Sequence, residues 1–541
     1  MVGSLTVMRP VASQWHFGTI LDEVARVVPA DRPALVHGDK VVSWGEFDLR
    51  TNRVARAMIA AGLQPGDRVG ILARNITEFI EVVAATFKAR LSWVNINYRY
   101  TAAEIEYVLG DCQARALFYQ DEFASVVAPV LDALPTVTLA VRIGDAGDYE
   151  ALARDGDGSP LGIERSPEDT YLLYTGGTTG KPKGVVWRMG DVRAAQLESP
   201  TVKVPVSTMA EHLAAVAANP NPGRVIPACP LMHGAGTNSS VAELMNGGTA
   251  VLLTSNAFEP VELWAAAARW GVTRILIVGD VFARPMVDAL TRFPGRWDLS
   301  RLSLISSAGL MWSREVKAEL VAALPHVTLM DILGASEASN FAYAFTTATS
   351  ATPTGLFEPA PAMVLVAPDG SRILGADEAG PGLLARRPPY GWRYHGDPGK
   401  SAATFRTIGG EDVAVPGDLA ERTPDGRLRL LGRDNMVINT GGEKVFAEEV
   451  EEALKRAPGV VDAMVVGVAD PKWGKAVAAL VTTTATYDEA SVRAALLVDL
   501  APYKLPKRIL RLDALPRHAS GKGDYRTATA FVADVVPEAA A

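Results

Sequence analysis

At 541 residues, 48% hydrophobic and 21% charged, the chain has the length for about two to four packed units and the balance of a folded globular protein. That composition leaves no room for a disordered or collagen-like chain. A net charge of −8 removes the footprint of a general nucleic-acid binder, and the only two cysteines, Cys112 and Cys229, are too far apart in sequence to suggest a disulfide framework, a zinc site or a redox pair.

The first 20 residues hold Arg9 and His16 among apolar neighbours, but no apolar run leads to a small-residue cleavage site, so no signal peptide is expected. No apolar stretch approaches a bilayer span. These features point to a cytoplasmic protein without stable membrane insertion; a homodimer is left open. Ser43, Trp44, Gly45 and Glu46 form a capping-box pattern, and Phe47, Leu49, Val54, Ala57 and Met58 carry an amphipathic helix to a stop at Gly62. Pro65, Gly66 and Asp67 turn the chain into the apolar run 69–72, followed by a helix over 78–88 and a strand around 93–96. The rhythm returns where a helix over 257–270, stopped by Gly271, leads into the apolar run 275–278. Helices alternating with short buried strands predict an α/β fold, a large N-terminal domain of helix-covered mixed sheets.

From about 353 to 431, short segments broken by Pro, Gly and Asp suit antiparallel strands, so a β-rich subdomain is expected. Beyond residue 432, a helix over 446–454, strands over 463–468 and 477–482, and a helix from Glu489 make a small α+β unit. The boundary is placed there, giving an N-terminal domain 1–432 and a C-terminal domain 433–541.

The sharpest motif is an apolar strand, Tyr171 to Tyr174, running into Thr175, Gly176, Gly177, Thr178, Thr179, Gly180, Lys181, Pro182, Lys183 and Gly184. Glycines let backbone N–H groups approach an anion, threonines add donors and lysines add charge, so the loop is suited to cradle phosphates. It is not a Walker loop, because the Gly and Lys spacing differs and Pro182 follows Lys181 where Ser or Thr would reach magnesium. A shorter Gly-Thr run would read as an ordinary surface loop; this length and order do not.

This loop resembles the signature of the adenylate-forming superfamily, which includes acyl-CoA synthetases, peptide-synthetase adenylation domains and luciferases, and other segments are similar to the family's motifs in the same order. Asp331, Ile332, Leu333, Gly334, Ala335, Ser336 and Glu337 resemble the aromatic-Gly-x-Thr-Glu element, with Ser for Thr. That match implies Mg²⁺ at Glu337, α-phosphate contact at Ser336, and Asp331 among the nucleotide-binding residues. Ser307, Ala308 and Gly309 resemble the segment whose backbone lies along adenine; read alone, 306–309 is only a turn. Pro416, Gly417, Asp418, Leu419 and Ala420 resemble the Gly-Asp-x-Ala element, implying ribose contacts from Asp418 and from Arg433 in the Leu431, Gly432, Arg433 segment.

The resemblance continues through Asn435, at the hinge position where many members have Asp or Lys, and through Gly441 and Gly442, implied in the pantetheine passage. Pro516, Arg517, His518, Ala519, Ser520, Gly521 and Lys522 are similar to the motif that carries the adenylation lysine, so Lys522 is the implied catalytic cation on a mobile C-terminal domain. The implied reaction uses ATP with Mg²⁺ to convert a carboxylic acid to an acyl-adenylate and then passes the acyl group to coenzyme A. No covalent enzyme intermediate is needed.

Pro230, Leu231, Met232, His233 and Gly234 resemble the segment bordering the acyl site, which assigns His233 a place there; as a lone histidine it would more often be structural. No Asp stands where amino-acid-activating domains bind the amine. The runs 277–285 and 186–188 are similar to the branch that activates fatty acids and steroid side-chain acids. Met232, Val278, Leu310, Met311 and Ile332 fit either an apolar acyl tunnel or ordinary core. Alternatives are a ligase that loads a carrier protein, a luciferase-like oxygenase, and a non-catalytic nucleotide-binding scaffold.

Overall fold

The computed structural model describes residues 14–175, 182–202, 205–310, 312–433, 437–440, 443–470, 474–500, 502–517 and 523–535. By backbone contacts the chain divides into two compact units. One holds Met1–Thr354, Glu358–Met363 and Arg386–Ala414; the other holds Gly355–Phe357, Val364–Ala385 and Val415–Ala541.

The first unit contains a seven-stranded sheet in the order Arg393–Tyr394, Lys183–Arg188, Thr170–Thr175, Ser92–Asn95, Arg68–Leu72, Ala116–Gln120, Leu139–Ile143. From Thr170–Thr175 onward the pairs are parallel, whereas Lys183–Arg188 and Arg393–Tyr394 add antiparallel edges. A second run of parallel strands comprises Pro33–His37, Thr249–Leu252, Arg224–Pro227, Arg274–Ile277, Leu304–Ala308 and Thr328–Leu333. Both ends are closed by antiparallel partners, Lys40–Ser43 and Ala342–Thr347.

Local chemistry explains the elements. The Ser43 hydroxyl accepts the Glu46 N–H at 3.2 Å and starts the helix Trp44–Ala60, which buries Trp44, Phe47, Val54 and Met58. The helix Pro260–Trp270 ends where Gly271 takes φ 57°, a left-handed cap. Behind the phosphate strand, Trp93 stacks on Tyr171 with centroids 5.6 Å apart, and Phe79 and Phe87 meet these rings edge-on. Aromatic packing of this kind gives the loop that follows Tyr174 a rigid base.

In the second unit, Asp418–Arg422 pairs antiparallel with Leu428–Arg433, and residues 381–383 extend that sheet. Farther along, Val437–Thr440, Glu443–Phe446, Val460–Asp470, Gly474–Thr483 and Arg508–Arg511 form a five-stranded sheet flanked by helices Ala447–Arg456, Glu489–Asp499 and Tyr525–Val535. The expected mixed α/β region, β-rich stretch and small α+β region are all present, with one helix, Pro398–Thr404, among the strands of 353–431. No described helix is long and apolar enough to cross a membrane.

Candidate active site

The strands Thr170–Thr175 and Lys183–Arg188 pair antiparallel with Thr175 opposite Lys183, at the carboxyl end of the parallel strands. Gly176, Gly177, Thr178, Thr179, Gly180 and Lys181 lie outside the described residues. Both flanks are braced by the helix Ala102–Asp111: the Tyr107 hydroxyl donates to the Pro182 carbonyl at 3.3 Å, and the Tyr174 hydroxyl donates to the Asp111 carboxylate. Burial, with Cys112 and Asp111 nearby, pushes the Tyr174 hydroxyl far above its usual range, so it remains a donor. His395 Nε2 meets the Asp111 carbonyl at 3.1 Å. Lys183 donates to Asp397, whose carboxyl is held below its ordinary value chiefly by that lysine.

Glu337 hangs from the same hairpin. Trp187 Nε1 donates to the Ser336 carbonyl at 2.8 Å, Gly391 N donates to the Glu337 carbonyl at 2.8 Å, and the Tyr394 hydroxyl donates to the Glu337 carboxylate. Trp187 and Tyr394 belong to paired strands, with Tyr394 opposite Val185. A Cβ at position 391 would stand 2.9 Å from the Glu337 carbonyl oxygen, which explains the glycine there. The loop that carries Ser336 and Glu337 is thus tied to the strand Lys183–Arg188 and to the segment 391–394 beside it by three contacts.

Ser307 and Ala308 sit opposite Asp331 and Ile332 in parallel register. The reading of 306–309 as only a turn is corrected: Ser306, Ser307 and Ala308 end the strand Leu304–Ala308, entered through buried Ile305, and only Gly309, at φ 93°, leaves it. The Ser307 hydroxyl accepts the Gly279 N–H at 2.9 Å and so shapes the neighbouring loop. Asp331 accepts Lys317 Nζ at 2.8 Å; burial raises its carboxyl to about 6 while the lysine opposes that rise.

The segment 228–233 joins the strand Arg224–Pro227 to the helix Gly234–Met245, and half-buried His233 is that helix's N-cap residue without a side-chain capping bond. A Cβ at Gly236 would lie 2.8 Å from the Pro230 carbonyl oxygen, so the turn packs directly on the helix backbone. Half-buried Val278, Leu310 and Ile332 stand at strand ends, Met232 is buried, and Met311 lies outside the described residues.

In the second unit Asp418 is directly opposite Arg433 in the strand pair, although read alone it would be an ordinary turn former. Asn435, Gly441, Gly442 and Lys522 lie outside the described residues. Among the described residues no group of three or more His, Cys, Asp or Glu side chains is placed to hold a metal ion. Magnesium bound mainly by substrate phosphates needs only one or two protein carboxylates, and the oriented Glu337 fits that demand. Asn75, Asn95, Tyr107, Asp111 and Tyr394, which position these segments, carry no motif of their own.

A Gly- and Thr-rich segment flanked by strands that end at the carboxyl edge of a parallel sheet, with the Glu337 carboxylate tied to those strands and their neighbour, fits an enzyme that handles a nucleotide. The chain belongs to the AMP-binding enzyme family: the family model matches residues 21–388, and the model of the AMP-binding enzyme C-terminal domain matches 449–522. It is 36% identical to the medium-chain acyl-CoA ligase Mig of Mycobacterium avium, over 93% of this chain and 96% of that one. It is 35% identical to the medium/long-chain-fatty-acid–CoA/3-oxocholest-4-en-26-oate–CoA ligase of Mycolicibacterium smegmatis, over 92% and 93% of the two chains. With the 3-oxocholest-4-en-26-oate–CoA ligase of Rhodococcus rhodochrous the identity is 33% over 95% of each. The fold is similar to that of the anthranilate CoA ligase AuaEII in complex with anthranoyl-AMP, with a TM-score of 0.82 at 23% identity over 97% and 99% of the chains. It is also similar to ATP-bound MatB from Rhodopseudomonas palustris, with a TM-score of 0.79 at 24% identity over 95% and 99%.

Proposed function

We propose that this protein is an ATP-dependent acyl-CoA synthetase acting on a medium- or long-chain fatty acid or a steroid side-chain acid, the acids named for its relatives. The observation that carries the reading is the joining of the Glu337 loop to the phosphate-loop hairpin through Trp187, Gly391 and Tyr394. Thr175, Gly176, Gly177, Thr178, Thr179, Gly180, Lys181 and Lys183 would wrap the phosphates. Ser336 would touch the α-phosphate, while Ser307, Ala308, Gly309 and Asp331 would border the base. Asp418 and Arg433 would take the ribose hydroxyls. Glu337 would hold Mg²⁺, which when bound neutralises phosphate charge.

In the first step a carboxylate oxygen bonds to the α-phosphorus and the bond to the β-phosphate oxygen breaks, releasing pyrophosphate. Lys522 offsets the repulsion between carboxylate and phosphate as negative charge spreads. In the second step the thiol of coenzyme A bonds to the acyl carbon and AMP leaves. His233 borders the acyl carbon, Gly441 and Gly442 admit the pantetheine arm, and rotation of the domain 433–541 about Asn435 exchanges the two arrangements.

The test is purified protein with Mg-ATP and short-chain, long-chain, aromatic and steroid acids, following AMP and pyrophosphate with and without coenzyme A. Acid-dependent release that yields acyl-CoA, and falls about a hundredfold or more in Lys522→Ala, is expected. Thioester formation on a carrier protein alone, or no release with any acid, would replace this reading.

A further inference from the structure

The turn before His233 is held by side chains from the seven-stranded sheet, from the loop after its strand Arg68–Leu72 and from the helix Gly234–Met245. Asn75 Oδ1 accepts the Leu231 N–H at 2.7 Å, and its Nδ2 donates to the Cys229 carbonyl at 3.2 Å. From the helix that follows, the Thr237 hydroxyl donates to the Leu231 carbonyl. Asn95, the last residue of the strand Ser92–Asn95 and 6% exposed, completes the set by donating from Nδ2 to the Met232 carbonyl at 2.8 Å.

Asn95 differs from Asn75 because its amide also grips the phosphate strand. Its Oδ1 accepts the Tyr174 N–H at 2.7 Å, and the other Nδ2 hydrogen goes to the Tyr174 carbonyl at 2.9 Å. One acceptor and two donors are therefore used at once. The two segments joined lie far apart in sequence: Tyr174 immediately precedes Thr175 and the phosphate loop, and Met232 immediately precedes His233. No sheet ladder links these two backbones, because Thr170–Thr175 and the strand leading to Met232 belong to different sheets.

We infer that Asn95 is a positioning residue that locks the turn before His233 to the end of the strand Thr170–Thr175, so that the acid carboxylate and the α-phosphate meet in one fixed geometry. The inference rests on the acyl-adenylate reading above. Adenylation needs both segments in register, whereas transfer of a preformed acyl-adenylate to coenzyme A no longer depends on where ATP's phosphates sit. Displacement by about 1 Å is enough to cost on the order of a hundredfold in a reaction that relies on orientation.

The experiment uses the full chain carrying Asn95→Ser, Asn95→Asp or Asn75→Ser. Asn95→Asp keeps the acceptor but turns a negative oxygen toward two carbonyls, and Asn95→Ser is too short to bridge. Melting temperature, acid-dependent pyrophosphate exchange and thioester formation from synthetic acyl-adenylate are measured together. Both Asn95 variants are expected to lose about a hundredfold in the exchange kcat while thioester formation stays within about threefold. Asn75→Ser is expected to raise KM for the acid without changing KM for ATP. Equal loss in both half-reactions, no loss in either, Asn95→Ser behaving as Asn75→Ser, or failure of both Asn95 variants to fold would each overturn the inference. A wild type without acid-dependent exchange would instead overturn the acyl-adenylate reading itself.

Discussion

The position of Glu337 stands out in the sequence because it closes a short motif, whereas Tyr394, which donates to its carboxylate, has no such signal. Tyr394 stands 57 positions away on a two-residue strand and reaches Glu337 only because Arg393–Tyr394 pairs with Lys183–Arg188. Asp331 shows the opposite limit. Its motif position was readable, but its partner Lys317 comes from the helix Arg314–Ala323, whose place over the strand is a matter of packing. If the Tyr394 hydroxyl orients a magnesium ligand, Tyr394→Phe removes one donor and keeps the ring that packs beside Phe405. The expected result is an apparent magnesium requirement raised about tenfold or more with little change in melting temperature, because partners of metal ligands typically contribute that much. Titrating activity against free Mg²⁺ at saturating ATP checks it, and an unchanged magnesium curve would show that the hydroxyl only fills space.

Elements with strong local signals follow closely from the sequence. The helix Trp44–Ala60 follows from its cap and its periodicity, and the helix Glu489–Asp499 begins one residue after a capping Asp488. Short edge strands and the helix Pro398–Thr404 have no such period, and tertiary pairing decides them. What joins elements is least visible, and Glu451 is an example. It lies on the helix Ala447–Arg456, accepts the Val465 N–H at 2.8 Å, and accepts the Tyr525 hydroxyl at 3.0 Å, pinning the helix that starts just after the Lys522 motif. Burial pushes its carboxyl up to about 7; the Val465 N–H, Lys455 and Tyr525 pull it down, and Glu448 adds to the rise. Between pH 4.5 and about 7 the folded chain keeps a proton that the unfolded chain has released. Unfolding then sheds a proton, so stability falls as pH rises across that window, by about 3 kcal/mol in all. Glu451→Gln retains an acceptor and cannot ionise. Denaturant unfolding of this region at pH 5 and pH 8 is expected to show the variant matching the wild type at the lower pH and exceeding it at the higher; parallel pH slopes would remove Glu451 as the source.

At the scale of the molecule, two criteria divide the chain differently. Grouping by backbone contacts keeps 415–541 together with 355–357 and 364–385, whereas the sequence reading cuts after residue 432. The apolar cores decide which piece can fold alone, because burial rather than contact is the driving term. One cluster built on Val445, Val450, Leu454, Val465, Val477, Val481 and Leu496 draws every buried member from 438–509, and a second, around Met464, Leu480 and Val532, draws its own from 464–532. The five-stranded sheet between these clusters is likewise closed within 437–511. Among the described residues neither core borrows a buried side chain from 355–433, so a chain of residues 433–541 is expected to fold with a cooperative thermal transition and protected amides in Val460–Asp470 and Gly474–Thr483. The complementary chain 1–432 keeps Asp418, most of the strand pair that carries it and both strands Thr170–Thr175 and Lys183–Arg188, but loses Arg433 opposite Asp418, so it is expected to bind ATP more weakly than the full chain and, lacking Lys522, to release no pyrophosphate with any acid. Circular dichroism melting and hydrogen exchange on 433–541, beside ATP binding and pyrophosphate release by 1–432, test both halves. If 433–541 stays unfolded while 415–541 with the residues grouped beside it folds, the boundary belongs at 415, and the strands around Asp418 are part of the C-terminal core after all.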